Sequence, residues 1–169
     1  MSIRKRIAVI ALTLSAAGFS AWQSHEGFTG HAVIPTKGDV PTIGHGSTRY
    51  EDGGRVRMGD TITRKRAEIL ARNLISKDEQ DLAKSLPGVT LYQEEFDLYI
   101  DFIGQYGIGT WRKSSMRASL LAGNYVQACK SLLKYKYAAG YDCSTPGNKR
   151  CYGVWTRQLK RYDTCMSAQ

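Results

Sequence analysis

Hydrophobic and polar positions divide the chain into stretches of different period. A basic cluster, Arg4, Lys5 and Arg6, is followed by an uncharged apolar run over residues 7–24, and Glu26 is the first acidic residue. Residues 27–54 are rich in Gly, Thr and β-branched side chains. Turn signals at Lys37-Gly38-Asp39 and Asp52-Gly53-Gly54 predict a small antiparallel sheet there. The period then lengthens: Thr63 is placed to cap a helix whose apolar face carries Ile69, Leu70, Leu74 and Ile75 and continues through Leu82 toward Pro87. A second helix is predicted over 92–105, with Phe96, Tyr99, Ile100 and Ile103 inward, broken by Gly104, Gly107 and Gly109. Ser114 or Ser115 caps a short helix with Leu120 and Leu121, Asn124 a further one through Ala128, Leu132 and Leu133 to Tyr137, and 154–162 reads as the last. There are no repeats and no low-complexity linker. The fold class is therefore α+β: a small antiparallel β lobe and a larger, mostly helical lobe, with a cleft between them as the natural site.

Composition narrows this picture. With 169 residues the chain suits one compact domain with a sizeable core, and 42% hydrophobic residues exclude a disordered, collagen-like or polytopic membrane protein. Lys and Arg number 24 against 15 Asp and Glu, for a net charge of +9. That balance suits polyanions such as wall polymers, anionic lipid or nucleic acid, and also a merely solvated surface. The basic residues are spread along the whole chain and no nucleic-acid-binding signature appears, so nucleic acid is set aside as a partner.

The basic cluster and the apolar run have the order of an export signal. As a helix, residues 7–24 would span about 27 Å at ~1.5 Å per residue, just short of a ~30 Å hydrocarbon core, and Ala, Ser, Thr and Gly dilute the run. Three fates compete. Small residues allow cleavage after Ala17 or Ser20, but that would remove most of a helix ending at Glu26. A permanent anchor would be richer in Leu, Ile and Phe. A weak anchor that later leaves the membrane fits the diluted run, and this reading is favoured. Export makes disulfides possible. Cys129, Cys143, Cys151 and Cys165 allow three pairings. The stretch CSTPGNKRC suits a short closed loop, so the nested arrangement Cys143–Cys151 within Cys129–Cys165 is favoured over other pairings or four free thiols.

Candidate chemistry gathers after the first helix. Glu26 closes it, and the sheet that follows holds Asp39 and the sequence TIGHGST from Thr42 to Thr48. A carboxyl at a helix end facing a hairpin with a second carboxylate is what glycoside hydrolysis needs: one group protonates the leaving oxygen while the other activates water or stabilises the oxocarbenium-like transition state.

At these residues the chain resembles the phage-type lysozymes, glycoside hydrolase family 24. The resemblance rests on Glu26-Gly27, Thr42-Ile43-Gly44-His45-Gly46 and Gly59-Asp60-Thr61-Ile62-Thr63 opening a helix. It continues through Gln93 to Gly107 as a central helix, Ser114-Ser115 before a helix, and Gly153-Val154-Trp155-Thr156-Arg157. It implies a lysozyme-like fold and an endolysin that cleaves between N-acetylmuramic acid and N-acetylglucosamine. The implied catalytic residues are Glu26 as general acid with a raised pKa, Asp39 ionised and orienting the attacking water, and Thr42 holding that water or carboxylate. No cofactor or metal is implied, the partner is peptidoglycan, and the chain is expected to be a monomer. Residues 1–24 resemble a signal-arrest-release anchor and 25–169 the catalytic domain, so the enzyme is expected first tethered to the inner membrane and then released to the periplasm.

Two departures stand out. Pro35 and Thr36 occupy the positions where the family's spacing places its hairpin Asp, and the Glu-to-Thr interval is one residue longer, so Asp39 is the economical replacement. Gln105 stands where a family Asn is common, which puts one scaffold hydrogen bond in doubt. Among other readings, Glu26 is a solvated helix-end carboxylate, Asp39 a turn residue, Thr42 a strand residue, and Trp111, Trp155 and the tyrosines core aromatics. His25, His31 and His45 suggest a zinc amidase or peptidase of the wall, although they lack a closed ligand spacing. A non-enzymatic wall-binding protein would fit the charge alone.

Overall fold

The computed structural model describes residues 5–169; Arg4 of the basic cluster lies outside them. The chain forms two compact units, Leu14–Glu79 on the one hand and, on the other, Gln80–Gln169 with the N-terminal stretch ending at Thr13.

In the first unit, Ser15 caps α1 (Ala16–Glu26) by accepting a hydrogen bond from Gly18 N at 2.9 Å. Phe19 and Trp22 are the buried side chains of this helix, and the Arg72 guanidinium lies 4.0 Å over the Phe19 ring. The helix stops at Gly27, whose φ of +69° is a conformation that a side chain would resist. The chain then runs into β2 (Thr29–Val33), which pairs antiparallel with β3 (Thr42–Gly44), Thr29 opposite Gly44 and Val33 opposite Thr42. Ala32, Ile43 and Val56 form a small core with Tyr50 and Ile62 packed on it. Gly44 answers to two constraints: its φ is +67°, and a Cβ there would meet the Ala67 Cβ at 2.8 Å.

The long helix α2 (Arg64–Ser85) buries Ala67, Leu70, Ala71, Ile75 and Leu82. Ile69 and Leu74 of the expected face are instead exposed, at 45% and 44%. Steps of three and four from Ala67 reach Leu70, Ala71 and Ile75, and two small alanines serve as inward positions that hydrophobicity alone undervalues.

The second unit is mostly helical. Arg6 grips Glu95 with two hydrogen bonds of 3.1 Å, and the Glu95 side chain is 1% exposed. The Arg6 guanidinium also lies 4.3 Å over the ring of Tyr92 and 3.8 Å over that of Tyr125. β1 (Ile7–Ala8) pairs antiparallel with β4 (Thr90–Leu91), and a 3-10 turn, Val9–Ala11, follows it. The apolar run read from the sequence is thus divided among β1, this turn and α1, and no described helix is long and apolar enough to cross a membrane.

α3 (Gln93–Arg112) carries the core, burying Phe96, Tyr99, Ile100, Phe102, Ile103 and Trp111. It extends past the expected end: Gly107 alone leaves helical geometry, and the helix resumes. Ser114 caps α4 (Ser115–Leu121), accepting from Arg117 N at 3.1 Å. α5 (Tyr125–Ser131), a hairpin of β5 (Tyr137–Ala138) and β6 (Tyr141–Asp142), and α6 (Tyr152–Ser167) complete the unit. Asp101 of α3 is bound by Arg157 and Arg161 of α6, each at 2.6 Å. Burial opposes ionisation of Asp101, but the two guanidiniums outweigh it and hold the carboxyl below its usual range. The cysteines pair in the nested arrangement, Cys129–Cys165 and Cys143–Cys151. The doubt about Gln105 has a structural counterpart: its Oε1 is a buried oxygen without a hydrogen-bond partner among the described residues.

Candidate active site

The site is built where α1 ends. Glu26 is the last residue of the helix and is exposed. A methyl group placed on Gly46, in the turn after β3, would have Glu26 Oε2 as its neighbour at 4.0 Å. The structure therefore brings the Glu26 carboxyl to the glycine that closes the TIGHG sequence.

Thr42 opens β3, is half-buried, and donates its hydroxyl to Val33 O at 3.4 Å. Asp39 lies in the exposed loop between β2 and β3. Its amide donates to Thr36 O at 2.9 Å, and its Oδ1 accepts from Val40 N at 2.9 Å, so its described hydrogen bonds stay inside its own loop. Three further carboxylates of the hairpin region are engaged: Glu51 pairs with Arg66 at 3.1 Å, Asp52 accepts from Gly54 N at 2.8 Å, and Asp60 accepts from Tyr50 OH and Arg57 N, each at 2.9 Å.

In the sequence His45 belongs to the TIGHG stretch and to the zinc alternative without a role of its own; in the structure it lies in the candidate site. Its side chain is buried, 7% exposed, with the rings of Trp22 and Phe28 at 6.1 and 5.7 Å. His45 Nδ1 donates to Gly27 O, and Gln23 Nε2 lies 3.4 Å from His45 Nε2. With Gln23, Gly27, Phe28, Arg64 and Glu68, His45 lines an open pocket of ≈ 600 Å³. The sequence signal was a ring held between two turn glycines, which identifies an enclosed position but not its partners. Among the described residues no three His, Cys, Asp or Glu side chains form a group able to hold a metal ion. Of the aromatics considered for sugar binding, Trp111 is fully buried and donates to Ser85 Oγ at 2.8 Å, while Trp155 is half-buried.

A carboxyl at a helix end against a glycine turn, followed by a short antiparallel pair and a mainly helical unit, defines a lysozyme-type glycoside hydrolase. Residues 23–162 match the phage lysozyme family, and the chain belongs to it. It is a muramidase of the endolysin class, with peptidoglycan as its substrate. It is 31% identical to the endolysin of Salmonella phage P22 over 128 residues, covering 75% of this chain and 86% of that protein. A match to the SAR-endolysin of Enterobacteria phage PA-2 is 27% identical over 178 residues and covers 99% and 98% of the two chains. The endolysin from Escherichia coli O157:H7 phage FAHEc1 superposes with a TM-score of 0.77 at 24% identity, over 94% of this chain and 96% of that one. The endolysin of Bacillus phage B103 is longer, and this chain spans 48% of its length.

Proposed function

We propose that the chain hydrolyses the β-1,4 bond between N-acetylmuramic acid and N-acetylglucosamine, lysing its bacterial host, with Glu26 as general acid. Glu26 gives its proton to the leaving glycosidic oxygen. Water adds to the anomeric carbon and passes its proton to the Asp39 carboxylate, while Thr42 holds that water or carboxylate. Glu26 is exposed rather than sheltered from solvent in the free protein, so the exclusion of water around it during the reaction comes from the glycan lying over it. The observation that carries the reading is the Glu26 carboxyl beside Gly46, at a helix end stopped by Gly27. Its test is Glu26→Gln in purified protein. The amide keeps the shape but has no acidic proton, so the variant folds and binds wall without turnover; comparable turnover by the folded variant would remove Glu26 from the role.

The same chain is tethered before it acts: residues 1–24 serve as a signal-arrest-release segment ahead of a catalytic domain over 25–169, and the whole leaves the membrane uncleaved as a monomer. Two observations support this. The PA-2 relative is named a SAR-endolysin. In addition, Arg6 is docked on buried Glu95, and residues 7–24 supply β1 and most of α1. A basic flank held on the cytoplasmic side of a membrane cannot make that contact with a domain on the other side.

A further inference from the structure

His45 is buried with both ring nitrogens engaged at the end of α1, and the roles of general acid, water-orienting carboxylate and water-holding hydroxyl leave it unused. We infer that His45 is a positioning residue: through its Nδ1–H bond to Gly27 O it fixes where the end of α1, and so the Glu26 carboxyl, meets the hairpin turn. The inference rests on Glu26 as the general acid.

Three observations carry it. First, the ring nitrogens are committed. A carbonyl only accepts, so Nδ1 carries the proton toward Gly27 O, and Nε2 is left to accept from the Gln23 amide at 3.4 Å. Second, both partners belong to one helical turn. Gln23 and Gly27 are themselves joined, Gly27 N donating to Gln23 O at 3.0 Å, so a single ring grips the final turn of α1 at both ends. Glu26 lies inside that turn. Third, the residue after His45 is Gly46, the one whose Cα faces Glu26 Oε2. The path from ring to carboxyl is thus one hydrogen bond and one residue on the helix side, and one residue on the hairpin side. Carbonyls at a helix C-terminus lack intrahelical partners, and Gly27 O just beyond it would otherwise turn to water. His45 converts it into a fixed joint.

A ring that only filled space between Trp22 and Phe28 would matter to stability and not to the chemical step, and the test separates the two. His45→Phe keeps an aromatic ring in that space and has no donor; His45→Asn carries an amide nitrogen close to where Nδ1 lies. With soluble glycan fragments as substrate, and rates expressed per folded molecule from thermal unfolding, H45F is expected to lose about 10- to 100-fold in kcat with KM changed by less than about threefold. H45N is expected to recover to within about fivefold of the parent. If H45F does not fold, His45→Gln replaces it, because its amide reaches the Nε2 position instead; H45N must then turn over faster than H45Q. Wild-type kcat per folded H45F molecule, or an Asn variant no better than Phe or Gln, overturns the inference. Glu26→Gln run in parallel separates the two failures. An inactive E26Q beside an undiminished H45F overturns the role of His45 alone, whereas turnover by E26Q removes the acid and the inference with it.

Discussion

At the scale of residues, Glu26 and Asp39 are held differently. Glu26 is carried by a helix whose end is set by Gly27, whereas Asp39 is held by bonds to its own loop. The nearby alternatives Glu51 and Asp52 are already engaged, with Arg66 and with Gly54 N. Asp39→Asn is therefore expected to lower kcat by roughly 10²-fold with little change in KM. Near-normal kcat would move the second role to another group. Asp101 is a residue of stability rather than chemistry. Its carboxyl is held below its usual pKa by Arg157 and Arg161. A depressed carboxyl contributes stability that is present above its unfolded pKa of ~3.9 and is lost as pH falls through the folded value. Unfolding measured from neutral pH downward should show an acid loss of stability. Asp101→Asn should cost about 3 kcal/mol at pH 7 and flatten that loss; an unchanged acid limb would assign it to other carboxylates.

At the scale of elements, the sequence announced what is periodic or locally capped. A cap at Ser114 or Ser115 was legible because the signal lies within one turn, with Ser114 the one that takes the bond from Arg117 N, and Glu26 was legible as a helix end because glycine follows it. The inward face of α2 was only partly legible: Ala67 and Ala71 gain their burial from what packs on them, and Ile69 and Leu74 carry apolar surface that the fold leaves outside. The division of residues 7–24 into β1, a 3-10 turn and α1 was hidden because the pairing partner of β1, Thr90–Leu91, lies far along the chain. His45 was hidden for the same kind of reason, since Gln23 and Gly27 O meet it only after folding. The disulfides allow a quantitative test. Cys129–Cys165 joins α5 to α6 across 36 positions, and Cys143–Cys151 closes a loop of 8. Chain entropy makes the larger loop worth about 4 kcal/mol and the smaller about 2.5 kcal/mol. Denaturant unfolding of Cys129→Ala/Cys165→Ala and of Cys143→Ala/Cys151→Ala should rank in that order; the reverse order would locate the stabilisation in the native loops rather than in the unfolded chain.

At the scale of the whole molecule, the proposed tethering would give the N-terminus two incompatible tasks. The fold uses Arg6, β1 and α1, while tethering would hold residues 7–24 in lipid and leave Arg6 on the cytoplasmic side. Removing Arg6 leaves the buried Glu95 carboxylate without its bidentate partner, so Arg6→Ala should cost the released form about 3 kcal/mol in thermal unfolding. In cells, collapse of the membrane potential should convert an inactive membrane-bound population into a soluble active one that keeps its original N-terminus. A soluble enzyme beginning near Gly18 or Ala21 would mean a cleaved signal instead. The most direct test of the central claim is mass analysis of the fragments that the purified protein and its Glu26→Gln variant release from isolated peptidoglycan. The account predicts muropeptides with new N-acetylmuramic acid reducing ends from the parent and none from the variant. Released peptides with intact glycan strands, or the same fragments from both proteins, would contradict it.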